Sequence, residues 1–261
     1  MTHNGIAAFP EACDALVRFR AGGGTVVLIT NAPRRGEAVL HQIDQMGVPR
    51  EAYDGIVSSG DVTCGVMAQR PGQSVFHLGP QRDISIFDGL NVRFASAEEA
   101  DYVVCTGLFN DETETAESYR DMLTLMRRRE LFMVCGNPDV VVDRGDTLVY
   151  CAGAIADLYG TLGGEVLYAG KPYRPIYEMA LAKATQTRGA KVAPSRVLAI
   201  GDSVRTDLKG AATFGIDCLF VTAGIHAEEL GGRHSPDMQI LMKIFSDAGL
   251  KARAVTRTLV W

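Results

Sequence analysis

The chain has 261 residues, 47% of them hydrophobic, which is enough for a packed core in one large domain or two small ones. Its 26 lysines and arginines against 31 aspartates and glutamates leave a net charge of −5, so the basic footprint of nucleic-acid or membrane-surface binding is missing. No apolar run approaches the ~20 residues of a spanning helix, and the N-terminus lacks the basic-then-apolar pattern of a signal peptide.

In chain order, Ala12, Leu16, Val17 and Phe19 recur at helical spacing, and Pro10 suits a first turn, so a helix is predicted over Pro10–Arg20. Gly22-Gly23-Gly24 ends it. That run precedes a strand instead of following one, so it reads as a C-cap and turn and not as a phosphate loop. A strand over Thr25–Thr30 follows, then the Pro33-Arg34-Arg35 loop, whose arginines read as solvated, with contact to substrate as the alternative, and a helix to about Met46. Gly55–Ser58 reads as a strand and Asp61–Gln69 as a helix.

From about Gly72 to Tyr168 the pattern restarts. Strands are predicted at Ser74–Leu78, Asp101–Thr106 and Leu131–Cys135, with a long helix over Glu114–Arg129 and another over Ala154–Leu162. Val140–Val142 and Thr147–Cys151 are short enough to pair as a hairpin. After Gly170 the alternation resumes: helix Pro175–Arg188, strand Val197–Ile200, helix Thr206–Phe214, strand Cys218–Val221 and helix Met238–Ala248. Alternating β and α elements predict an α/β fold with a parallel sheet and helices on both faces. The expected organisation is a doubly wound, Rossmann-like core from residues 1–70 and 169–261, with an α/β cap inserted at 71–168.

Three predicted strand ends carry chemistry. Val197–Ile200 runs into Gly201-Asp202-Ser203-Val204-Arg205-Thr206-Asp207, which presents two carboxylates where open α/β sheets bind ligands. Such a pair suits Mg²⁺, which takes oxygen ligands and substrate phosphates. The strand that starts at Thr25 ends in Thr30-Asn31, a hydroxyl and backbone N–H groups able to bond phosphate oxygens. Ala169-Gly170-Lys171-Pro172 offers a lysine to neutralise phosphate charge. Asp202, directly after its strand, is the first candidate metal ligand. Asp207, one helical turn on, is either a second ligand, a group orienting metal waters or Lys171, or a carboxylate satisfying a helix dipole. Asn137 and Asp139 of Asn137-Pro138-Asp139 either reach the site or simply make a turn.

Together these segments resemble the haloacid dehalogenase (HAD) superfamily phosphatases, in the subfamily (IIA) with a large cap between the second and third motifs. The second motif matches Leu28–Asn31, the third Gly170-Lys171-Pro172, and the fourth Gly201-Asp202 through Asp207. Cys135-Gly136-Asn137-Pro138-Asp139 resembles that subfamily's cap loop. The resemblance implies Mg²⁺-dependent hydrolysis of a small phosphorylated metabolite through an aspartyl-phosphate. Asp202 and Asp207 would serve the metal. Thr30, Lys171 and Asp207 would be catalytic, and Thr30, Asn31, Asn137 and Lys171 would bind substrate. Sugar phosphates, nucleotides, phosphoglycolate, pyridoxal phosphate and aryl phosphates all stand as substrates, and any oligomeric state is open. The family's first motif is a strand ending in its nucleophilic aspartate, followed in this subfamily by a His-Asn-Gly or His-Asp-Gly turn. Here the turn is His3-Asn4-Gly5, and no aspartate stands ahead of it. Asp14 falls inside the first helix and reads as solvated. The expectation is a truncated first motif and a chain without turnover. The alternative is a non-catalytic phosphate- or metal-binding protein on the same fold. The six cysteines form no Cys-x-x-Cys and read as buried free thiols, so a reducing, cytoplasmic setting is expected.

Overall fold

The computed structural model describes residues 2, 3, 5–144 and 147–261, so Asn4 of the N-terminal turn lies outside the described residues. The elements run α1 (Pro10–Ala21), β1 (Val27–Thr30), α2 (Gly36–Gln45), β2 (Gly55–Ser58), α3 (Ser59–Ala68), β3 (Ser74–Leu78), β4 (Arg93–Phe94), β5 (Tyr102–Cys105) and α4 (Arg120–Arg128). They continue with β6 (Phe132–Cys135), β7 (Val141–Arg144), β8 (Thr147–Tyr150), α5 (Ala152–Thr161), β9 (Val166–Tyr168), α6 (Arg174–Arg188), β10 (Leu198–Gly201), α7 (Lys209–Phe214), β11 (Asp217–Val221), α8 (Met238–Ala248) and β12 (Ala254–Thr256). The fold is α/β, as the alternation predicts.

The chain divides into two compact units. The first comprises Met1–Ile29, Leu40–Ile56 and Lys171–Trp261; the second comprises Thr30–Val39 and Val57–Gly170. The first unit holds the parallel sheet β10-β11-β12. Its core is Val204, Leu208, Ala211, Cys218, Phe220, Leu230, Leu241 and Phe245. The second unit holds a five-stranded parallel sheet, β4-β3-β5-β6-β9, and the antiparallel hairpin β7-β8. All four residues of β5 are buried, as expected of a Val-rich central strand covered on both faces. Helices α4 and α5 supply Leu123, Met126, Ile155 and Tyr159 to that unit's core. A separate two-stranded sheet pairs β1 with β2.

Departures from the sequence expectations have local causes. The helix predicted over Glu114–Arg129 begins as a 3-10 turn at Ala116–Tyr119, because Thr115 and Ser118 form a reciprocal cap there. Helix α3 starts two residues earlier than predicted, since Ser58 caps it: the Ser58 hydroxyl accepts the Asp61 N–H, and Asp61 accepts the Ser58 N–H. The predicted Thr206–Phe214 helix opens with a π-helical turn over Val204–Leu208, a form that concentrates at functional sites. All six cysteines are free, and all but Cys64 are buried. Among the described residues no helix is long and apolar enough to cross a membrane.

Candidate functional site

In the first unit, β10 delivers Gly201, and the chain turns directly into Asp202 and the π-helical turn. Asp207 points back toward the strand it has just left. Its Oδ2 accepts the N–H groups of Asp202 and Ser203, both at 3.1 Å, and its Oδ1 accepts from Lys171 Nζ at 2.7 Å. Both carboxylate oxygens are thus occupied, so the geometry favours the role that orients Lys171. The pair is nearly out of solvent, with side-chain exposures of 17% for Lys171 and 11% for Asp207. Gly201 is required by close approach: a Cβ there would fall 2.3 Å from both Cβ and Cγ of Asp207.

Burial pushes the Asp207 carboxyl up, but the Lys171 ammonium and the two backbone N–H groups outweigh it and hold the carboxyl below its ordinary value of 3.8. A depressed carboxyl contributes stability that is present above the unfolded value and lost as pH falls through the folded one. We therefore expect the melting temperature to drop on acidification below about pH 4 more steeply in the wild type than in Asp207→Asn. Parallel melting curves recorded from pH 5 to 2.5 check this.

Asp202 is partly buried, and its Oδ2 accepts the Ile225 N–H at 3.1 Å. The other oxygen is the one available to a cation. Among the described residues no group of three or more His, Cys, Asp or Glu side chains could hold a metal. One carboxylate oxygen still fits Mg²⁺, which keeps several waters and takes one or two carboxylates plus substrate phosphate. His226 supports the same turn. Its Nε2 accepts the Val204 N–H at 3.3 Å and its Nδ1 meets Glu229 at 2.8 Å, so the ring proton sits on Nδ1. Tyr177, from α6, lays its hydroxyl 3.4 Å from the Thr206 carbonyl. Sequence reasoning missed both supports, since neither residue stands in a motif or at ligand spacing.

In the second unit, Thr30 ends β1 and its Oγ1 accepts the Ala32 N–H at 3.3 Å. Asn31 is buried, and its Nδ2 donates to Asp139 Oδ1 at 3.0 Å. Asn137 Oδ1 accepts the Asp139 N–H at 3.1 Å, closing the Asn137-Pro138-Asp139 turn. The turn reading therefore holds, and Asp139 also bonds Asn31. Gly170 sits in the same cluster, where a Cβ would lie 2.5 Å from Asn31 Oδ1 and 2.8 Å from Pro138 Cδ. Arg34 is exposed as expected, but Arg35 corrects the solvated reading: its guanidinium donates to the carbonyls of Ile86, at 3.4 Å, and Asp88.

At the N-terminus of the first unit, His3 Nδ1 accepts the Gly5 N–H at 3.0 Å, and His3 bridges to Ala8. Asp14 lies on the exposed face of α1, paired with Arg18 at 2.9 Å, which is the solvated role expected of it.

Residues 2–93 match the family described as haloacid dehalogenase-like hydrolase, and residues 168–244 match a HAD-hydrolase-like family. A solved hydrolase of the haloacid dehalogenase-like family from Brucella suis 1330 is 46% identical. The match covers 99% of this chain and 92% of that one, with a TM-score of 0.83. The p-nitrophenyl phosphatase from Archaeoglobus fulgidus shares the fold at 21% identity, covering 97% of this chain and 90% of that one, with a TM-score of 0.73. An acid sugar phosphatase from Staphylococcus saprophyticus is 27% identical over 201 residues, which is 76% of this chain and 73% of the relative.

Proposed function

The chain belongs to the haloacid dehalogenase-like hydrolases, and from that membership we propose that it binds small phosphomonoesters at a Mg²⁺-assisted phosphate site. The observation that carries the reading is the Lys171–Asp207 pair, a lysine at a family motif position held by a nearly buried carboxylate. Asp207 holds the ammonium in place. Lys171 then neutralises phosphate charge. In the second unit the Thr30 hydroxyl and the Asn31 backbone N–H are donors able to bond phosphate oxygens. Asp139 holds the Asn31 side chain, with Asn137 closing the turn that presents Asp139. Asp202 offers the oxygen for the metal, and bound Mg²⁺ would supply charge neutralisation on the phosphate. The names of the similar proteins favour sugar phosphates and aryl phosphates among the possible substrates.

Hydrolysis in this family passes through an aspartyl-phosphate, and a covalent step needs its nucleophile. These 261 residues carry no aspartate ahead of the His3-Asn4-Gly5 turn. Phosphate binding by the residues named above is therefore read directly, by titration, and not through turnover. The metal assignment is tested by titrating Mg²⁺ into wild type and Asp202→Asn in a calorimeter. We expect about tenfold weaker binding in the variant; equal affinities would remove Asp202 from the metal.

A further inference from the structure

Ser59 is buried at 0% exposure, and its hydroxyl makes no hydrogen bond. It is the first residue of α3, yet the cap of that helix is complete without it, through Ser58 and Asp61. A buried donor left unpaired is destabilising, so a hydroxyl here calls for a use. Its direction supplies one. The position that a Cβ on Gly170 would occupy lies 2.8 Å from Ser59 Oγ and 2.5 Å from Asn31 Oδ1, so the two oxygens flank one point. The other end of the Asn31 amide is already held, since Nδ2 donates to Asp139. The start of α3 also carries the rest of this loop: Gly60 N–H donates to the Ala32 carbonyl at 3.2 Å, and Gly36 N–H to Asp61 Oδ1 at 2.9 Å.

We propose that Ser59 is a positioning residue for the phosphate-binding loop, its hydroxyl donating to the Asn31 amide oxygen when Thr30 and Asn31 take up phosphate. The inference rests on the phosphate-site reading above. Asp139 and Ser59 then grip the Asn31 amide from its two ends. The backbone N–H of Asn31 is aligned through its own side chain, and Ser59 itself does not touch the ligand. In the free protein the unpaired hydroxyl is a liability, which the loaded state relieves.

The test uses the full chain, with inorganic phosphate titrated calorimetrically in excess Mg²⁺ alongside thermal melts of the free protein. Ser59→Ala should melt no lower than wild type, because it removes an unpaired group. Its phosphate dissociation constant should rise about fivefold, the scale of one hydrogen bond. In an Asn31→Ala background, Ser59→Ala should change the constant no further, because the coupling between the two sites is gone. Unchanged phosphate affinity in Ser59→Ala overturns the proposal, as does a lowered melting point with normal affinity, which marks a structural serine. Additive effects in the double variant overturn it as well. Wild type that takes up no phosphate removes the phosphate-site reading, and this inference with it; wild-type binding matched by the variant removes this inference alone.

Discussion

Lys171→Ala is expected to lower the unfolding free energy by about 3 kcal/mol and to abolish phosphate binding in the same variant. The two losses have one origin. Asp207 is folded against its own turn, with one oxygen spent on the Asp202 and Ser203 N–H groups and the other on Lys171. Removing the ammonium strands a buried carboxylate, and an uncompensated buried charge costs far more than an exposed pair yields. The same deletion takes away the cation proposed to meet phosphate. The two effects separate in Lys171→Ala/Asp207→Asn. The asparagine oxygen still accepts both N–H groups, and no charge is left stranded. Most of the lost stability should return, as read by urea denaturation, while phosphate binding stays absent. A double variant no more stable than Lys171→Ala would show that the pair is not what fixes this turn.

Gly201→Ala is the second large effect. The added methyl would stand 2.3 Å from the Cβ and Cγ of Asp207, atoms close to the backbone that cannot swing aside as a flexible tip would. Overpacking of this kind costs about 1–3 kcal/mol. It should also push Asp207 off the Asp202 and Ser203 N–H groups and loosen Lys171. The variant should therefore melt lower and bind phosphate more weakly. Gly215→Ala provides the contrast. Gly215 ends α7 with φ +83 and nothing within 4 Å of an added Cβ. That change costs backbone strain alone, so it should lower the melting point and leave phosphate affinity intact. Equal phosphate losses in both variants would mean that global destabilisation, and not the Asp207 contact, explains the first.

Much of this was legible in the residues. Apolar runs bounded by turn signals gave β2, β3 and α8 their observed limits. Lys171 and Asp207 stand at motif positions that suit action on each other, and they are bonded. What the sequence could not show was tertiary in origin. Arg35 reads as a surface arginine until the carbonyls of Ile86 and Asp88, more than fifty residues away, accept its guanidinium. Ser59 carries no signal in the sequence, and only the structure shows that Ser58 and Asp61 cap α3 without it. Strands β4 and β12 were missed because they are two and three residues long and largely exposed, with too few apolar positions to show a period. The π-helical turn was read as plain helix because its five residues depend on Asp207 folding back, which no periodicity encodes.

The most direct test of the central claim is calorimetric titration of inorganic phosphate into this chain, once in excess Mg²⁺ and once in a chelator. A phosphate site at Lys171 with the metal at Asp202 predicts saturable one-to-one binding that is strong with Mg²⁺, much weaker without it, and lost in Lys171→Ala. Binding that ignores both Mg²⁺ and Lys171, or no binding at all, would contradict it.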